Sequence, residues 1–103
     1  ATASLRGSSG FSAFSSAKFA LRAVAQSIAR ELGPQGIHVA HFIIDGAIDT
    51  AFIKENFPER YALKEKDGIL SPEHIAETYW NIHTQRRTAW THEIDLRPYM
   101  EKI

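Results

Sequence analysis

Cysteine is absent from this sequence. Disulfide scaffolds and thiolate metal sites are therefore excluded, and a reducing, cytoplasmic setting fits that usage. A surplus of either charge is also missing: twelve Lys and Arg balance twelve Asp and Glu across 103 residues. Nucleic-acid binders and proteins that dock on anionic lipid carry a basic excess, so neither partner is expected. No apolar run approaches the ~20 residues that a membrane-spanning helix needs. The opening residues Ala1 to Arg6 lack the basic-then-apolar order of a secretory leader. No initiator Met precedes them, and Met100 is the only methionine, so Ala1 reads as internal to a longer chain. What is present is ordinary for one small globular domain, 44% hydrophobic and 23% charged.

The five histidines show no ligand spacing. His38 and His41 lie three apart in a strand-like run and so point to opposite faces. His74, His83 and His92 have no zinc-like spacing. No metal site is expected.

Residues 1–11 are small and Gly/Ser-rich and read as a strand end followed by a loop. Phe14, Ala17, Leu21, Val24, Ile28 and Leu32 recur at three- and four-residue steps, which predicts a helix over 12–32. Lys18, Arg22, Gln26 and Arg30 occupy a neighbouring face. Ser12 is the expected N-cap, and Gly33 with Pro34 the stop. Residues 37–44 are short, β-branched and apolar, as suits a strand buried on both faces, and Asp45-Gly46 closes it. Residues 49–70 are charged and broken by Pro58 and Gly68, so a loop with one or two short helices is expected. Ser71-Pro72-Glu73 starts a helix that runs to about His83, with Ile75, Tyr79 and Ile82 on one face. Ala89 to Leu96 reads as a last strand, ended by Arg97-Pro98.

Helices between strands imply parallel pairing with right-handed crossovers. Two such crossovers in succession would place both helices on one face and leave the other bare. A three-stranded, one-sided sheet is a poor autonomous domain, so further layers are expected from elsewhere in the chain.

The stretch Gly10-Phe11-Ser12-Ala13-Phe14-Ser15-Ser16-Ala17-Lys18 resembles the active-site helix of the short-chain dehydrogenases/reductases, where the motif is Tyr-x-x-x-Lys. Glu31 to Val39, Asp45-Gly46-Ala47-Ile48-Asp49-Thr50 and Ser71-Pro72-Glu73-His74-Ile75-Ala76 resemble three later motifs of that family, in order. Taken together, the likeness spans nearly the whole chain. It implies an α/β fold: residues 1–103 as the C-terminal part of one doubly wound, Rossmann-like parallel sheet, with the last strands and two crossover helices. The family's phosphate-binding glycine loop lies near its first strand, and none of Gly7, Gly10, Gly33, Gly36, Gly46 and Gly68 forms such a cluster. The N-terminal dinucleotide-binding half is thus expected to be missing. NAD or NADP would bind the parent protein and not this stretch alone.

The resemblance also assigns roles. Lys18 matches the lysine that bonds the nicotinamide ribose and lowers the tyrosine pKa; otherwise it reads as a solvated helix lysine. Phe14 stands at the tyrosine position and cannot exchange a proton. The serine that orients the substrate lies thirteen residues before that tyrosine, and this position holds Ala1. Ser12, Ser15, Ser16 and Tyr61 are the possible substitutes. Gly46, Ala47, Ile48 and Thr50 match the segment that contacts the nicotinamide carboxamide. Asp45 replaces the usual proline, either as an unusual acid or as a turn cap, and a buried carboxylate there needs a partner. Phe52, Phe57 and Tyr61 fall in the family's substrate lid, where they suggest an apolar or aromatic ligand or simply pack the lid. The implied function is an oxidoreductase for a small alcohol or carbonyl substrate. The alternative is a catalytically impaired member that serves as a binding or oligomerisation module. The implied partners are the missing half or further subunits, as a homo-oligomer.

Overall fold

The computed structural model of this chain describes residues 1–102. A 3-10 turn at Thr2–Ser4 leads to helix α1, Ser12–Leu32, and a second 3-10 turn at Gly33–Gln35. Strand β1, His41–Ile44, is followed by short helices α2, Ala51–Asn56, and α3, Pro58–Tyr61, and a 3-10 turn at Ala62–Lys66. Helix α4, Pro72–His83, a 3-10 turn at Arg87–Ala89 and strand β2, Glu93–Leu96, complete the order.

The helix limits follow their local chemistry. Ser71 caps α4 by accepting from the His74 amide, and Pro72 and Glu73 fill its first turn. Helix α1 spans the expected residues but begins differently. Ser12 is already helical, and the cap position is Phe11, with no side-chain cap. The helix does not stop on a left-handed Gly33, whose φ is −53°. It tightens into a 3-10 turn, and Gly36 takes the left-handed conformation at φ 84°. The Arg87 guanidinium lies 3.0 Å from where a Cβ on Gly36 would sit.

The opening segment is not a strand. Its amides turn back on their own chain, Ser4 to the Ala1 carbonyl and Leu5 to the Thr2 carbonyl. A ladder needs a neighbouring edge, and here the short-range bonds satisfy these groups instead. Both strands are also shorter than expected, because residues 37–40 and 90–92 run beside each other without a regular ladder. The sheet therefore has two strands among the described residues, paired in parallel with His41 opposite Glu93 and Ile44 opposite Leu96. An isolated parallel bridge joins Ile48 to Leu70.

Side chains divide the two long helices between the faces of β1. Phe42 points one way and stacks on Tyr79 of α4, ring centroids 3.8 Å apart. His41 points the other way and meets Glu93, which holds Arg22 of α1. The expectation of both helices on one face is thus overturned. Among the described residues no strand precedes α1, so only one crossover is seen there, and its handedness rule leaves α1 unconstrained.

The core is thin, consisting of Ile43, Ile69, Leu70 and Ile82. The face of α1 turned inward is its polar one, through Ser15, Lys18 and Arg22. Its apolar stripe is open: Phe14, Leu21 and Val24 are each about half exposed. The radius of gyration is 15.4 Å, against about 13 Å for a compact domain of ~100 residues. No helix among the described residues is long and apolar enough to cross a membrane.

What ties α1 to the sheet is Glu93. Arg22 grips its two oxygens at 2.8 Å each, and His41 Nδ1 lies 3.1 Å from Oε2. Arg22, partly offset by burial, and then His41 hold the Glu93 carboxyl below its ordinary pKa. A lowered carboxyl stabilises the fold fully above the unfolded glutamate value, about 4.3. That stability is lost as the pH falls through the folded value. Replacing Glu93 by Gln should cost about 1 kcal/mol at pH 7, a drop of about 4–8 °C in melting temperature. The two melting curves should converge in acid. A gap that persists below pH ~3 would show that the charge is not the source.

Candidate active site

A cavity of about 370 Å³ lies at the C-terminal end of β1, within the lower range of small-ligand sites. Its walls bring together Ala1 and Thr2, Phe14 and Ser15 of α1, Ile44 and Gly46 after β1, Arg60 of α3, and Glu101. Parallel strands leave unpaired backbone groups and loop starts at this end, which is why ligands gather there.

Helix α1 supplies the central pair. Phe14 is 50% exposed and lines the cavity. Lys18, one turn later and half-buried, holds its ammonium 5.6 Å from the Phe14 ring centroid. It forms no ion pair among the described residues. The next residue along, Ser15, is 5% exposed, and its Oγ is buried without a hydrogen-bond partner. An unsatisfied buried hydroxyl costs about 1–3 kcal/mol, so its retention beside a cavity marks a position open to a ligand acceptor. Of Ser12, Ser15, Ser16 and Tyr61, Ser15 alone lines this cavity. Ser12 is exposed, Ser16 donates to the Ala13 carbonyl, and Tyr61 lies beside Lys54 and Lys64 at 5.8 and 5.5 Å.

The loop after β1 is held by its own backbone. The Leu70 amide donates to the Ala47 carbonyl, and the Asp49 amide donates to the Leu70 carbonyl. Thr50 caps α2 by accepting from the Ile53 amide at 3.3 Å, which leaves its hydroxyl proton unspent. Lys64 pairs with Asp49 at 2.9 Å, and this bond, with Tyr61, raises the Lys64 pKa. Gly46, Phe14 and Ser15 share the cavity, whereas Lys18, Ala47, Ile48 and Thr50 stand outside its wall. In the lid, Phe52 and Phe57 tilt against each other at 6.1 Å and are both exposed.

Asp45 is the buried acid of the site, 3% exposed. It is no simple turn cap. The Thr2 hydroxyl donates to it, and Arg97 Nη1 lies 3.2 Å from its Oδ2. Arg97 also hydrogen-bonds Asp95, which raises the Arg97 pKa, with smaller contributions from Asp45 and Glu101. Sequence reading had assigned Arg97 only to the end of a strand, because no spacing rule links it to Asp45. The one available signal was the acid itself, which had to be answered somewhere.

The family model for short chain dehydrogenase matches residues 1–61. The chain belongs to the short-chain dehydrogenase family. A solved short-chain dehydrogenase from Rhodopseudomonas palustris is similar, with 48% sequence identity and a TM-score of 0.67. The match covers 95% of this chain and 35% of that one. No curated protein matches. Rossmann-like α/β architecture with parallel strands is thereby established for this short-chain dehydrogenase stretch. Among the described residues no group of three His, Cys, Asp or Glu is placed to hold a metal.

Gly46 also has a structural role. At φ 140° it needs glycine, and a Cβ there would lie 3.0 Å from Pro98 Cδ and 3.5 Å from Glu101 Oε2. The close approach is made by the chain's own C-terminal segment. Gly46→Ala should therefore cost about 1–3 kcal/mol and loosen that segment. Hydrogen exchange should quicken at residues 97–101, while α4 keeps its protection. Unchanged melting and exchange would show that Pro98 and Glu101 do not seat on Gly46.

Proposed function

We propose that this chain is the C-terminal portion of an NAD(P)-binding Rossmann domain in an oxidoreductase acting on a small alcohol or carbonyl compound. The observation that carries the reading is Lys18 one turn beyond an aromatic ring, beside a cavity at the C-terminal ends of parallel strands. The residues fit the nicotinamide end of the cofactor. Lys18 would bond the ribose, and Gly46, Ala47, Ile48 and the free Thr50 hydroxyl proton would bound the carboxamide. The pyrophosphate has no glycine-rich cradle among these residues. When bound, the nicotinamide supplies the hydride acceptor or donor.

Phe14 takes the place of the tyrosine that exchanges a proton with the substrate oxygen. Its ring excludes water and walls the cavity but moves no proton. Ser15 is placed to hydrogen-bond the substrate oxygen through its unpaired Oγ, an orienting role that a serine can fill without ionising. Ala1, at the expected serine position, contributes only surface. These two replacements favour a second reading, a catalytically impaired member that keeps the fold for binding or oligomerisation. The open apolar stripe of α1 fits burial against the rest of the domain or a second subunit.

Phe14→Tyr in the natural full-length protein separates the two. NAD(P)-linked turnover over a panel of alcohols and aldehydes should rise by about 10²–10⁴-fold, and Lys18→Ala should weaken cofactor binding. Cofactor binding without turnover in both wild type and Phe14→Tyr would favour the binding module. Indifference of cofactor binding to Lys18→Ala would sink the assignment of Lys18. The isolated 103 residues should show no saturable quenching of tryptophan fluorescence by NADH or NADPH.

A further inference from the structure

We propose that the cavity takes a substrate bearing a carboxylate, that Arg60 recognises this group, and that Glu101 holds the place until substrate displaces it. The inference rests on the reading of this cavity as the substrate site. Its lining carries two guanidinium groups, Arg6 and Arg60, against one carboxylate, Glu101, which pairs only loosely with Arg60. Arg6 has no ion pair among the described residues. Asp45 nearby is already answered by Arg97 and Thr2.

The internal occupant sets the ligand chemistry. Glu101 reaches back from the C-terminal segment over Gly46, and its Oε2 stands 3.7 Å from Arg60 Nη2. That is well beyond the ~2.7–2.9 Å of a tight charge-assisted bond. The pair is loose, and Arg60 is 52% exposed on a short helix, so an incoming carboxylate exchanges for Glu101 at little cost. The planar guanidinium fork matches a carboxylate in two bonds, which a loosely placed glutamate does not achieve here. Ser15 offers a further donor, since its buried Oγ lacks an acceptor. Phe11, Phe14 and Ile44 leave an apolar wall for the body of the ligand.

Benzoate and its neutral isostere benzamide test this by calorimetric titration of the natural full-length protein. Benzoate should bind about tenfold more tightly. Glu101→Gln should tighten benzoate several-fold and leave benzamide unchanged, and Arg60→Gln should erase the preference. Equal affinity of the two probes for the unaltered protein, no binding by either, or indifference of benzoate to Glu101→Gln would overturn the proposal. NADPH binding, followed separately by its fluorescence, keeps the two readings apart. Cofactor binding that weakens in Lys18→Ala without a benzoate preference removes only the carboxylate assignment. A benzoate preference without cofactor binding removes only the oxidoreductase reading.

Discussion

A carboxylate buried at the end of a strand must be answered by a cation, and the end of this chain is organised by that demand. Asp45 sits where β1 gives way to its loop, almost wholly out of water. Burying that charge without a partner would carry a large desolvation cost. Arg97 reaches it from beyond β2, and the Thr2 hydroxyl reaches it from the first turn. Three segments distant in sequence are thereby held at one point. With Arg97 anchored, Pro98 and Glu101 close over Gly46, and the cavity acquires its C-terminal wall.

A second charged tie, Arg22 to Glu93 to His41, works at the other end of the same strands. The two networks carry much of the fixing because the apolar core is so small. They also explain why α1 turns a polar face inward. Arg22 is drawn to Glu93, and Leu21 and Val24 are left exposed. Such an arrangement places the chemistry-bearing side of the helix at the strand ends and offers the apolar side to further protein.

The cavity joins features of different origin. Phe14 and Ser15 come from one helix, with Lys18 one turn beyond the cavity wall, and keep their spacing by helical geometry alone. Gly46 comes from the strand end, Arg60 from the lid, and Glu101 from the tail. The first group is local in sequence and the second is assembled. Within the cavity wall, the Phe14 ring stands beside the Ser15 hydroxyl, whose Oγ has no hydrogen-bond partner.

How much was legible follows that division. The spans of helices α1 and α4 were readable, though not the caps of α1, because apolar periodicity and the Ser71-Pro72-Glu73 start are short-range signals. The parallel pairing of β1 and β2 followed from the helix between them. The Phe14–Lys18 pair and the need to neutralise Asp45 could also be read from the residues. The failures share one cause. The first segment read as a strand end before a loop, yet a strand exists only where a neighbouring edge accepts its hydrogen bonds, and its own carbonyls accepted them. The faces expected for α1 and α4 rested on a strand before α1, and none precedes it among the described residues. Arg97 as the answer to Asp45, and Glu101 over Gly46, depended on contacts between residues about fifty apart in sequence. Sequence alone thus determined the helices and the chemistry they carry, since those rest on neighbours along the chain. Tertiary structure alone decided which charges meet and what walls the cavity, since Coulomb attraction and packing act through space and ignore sequence separation.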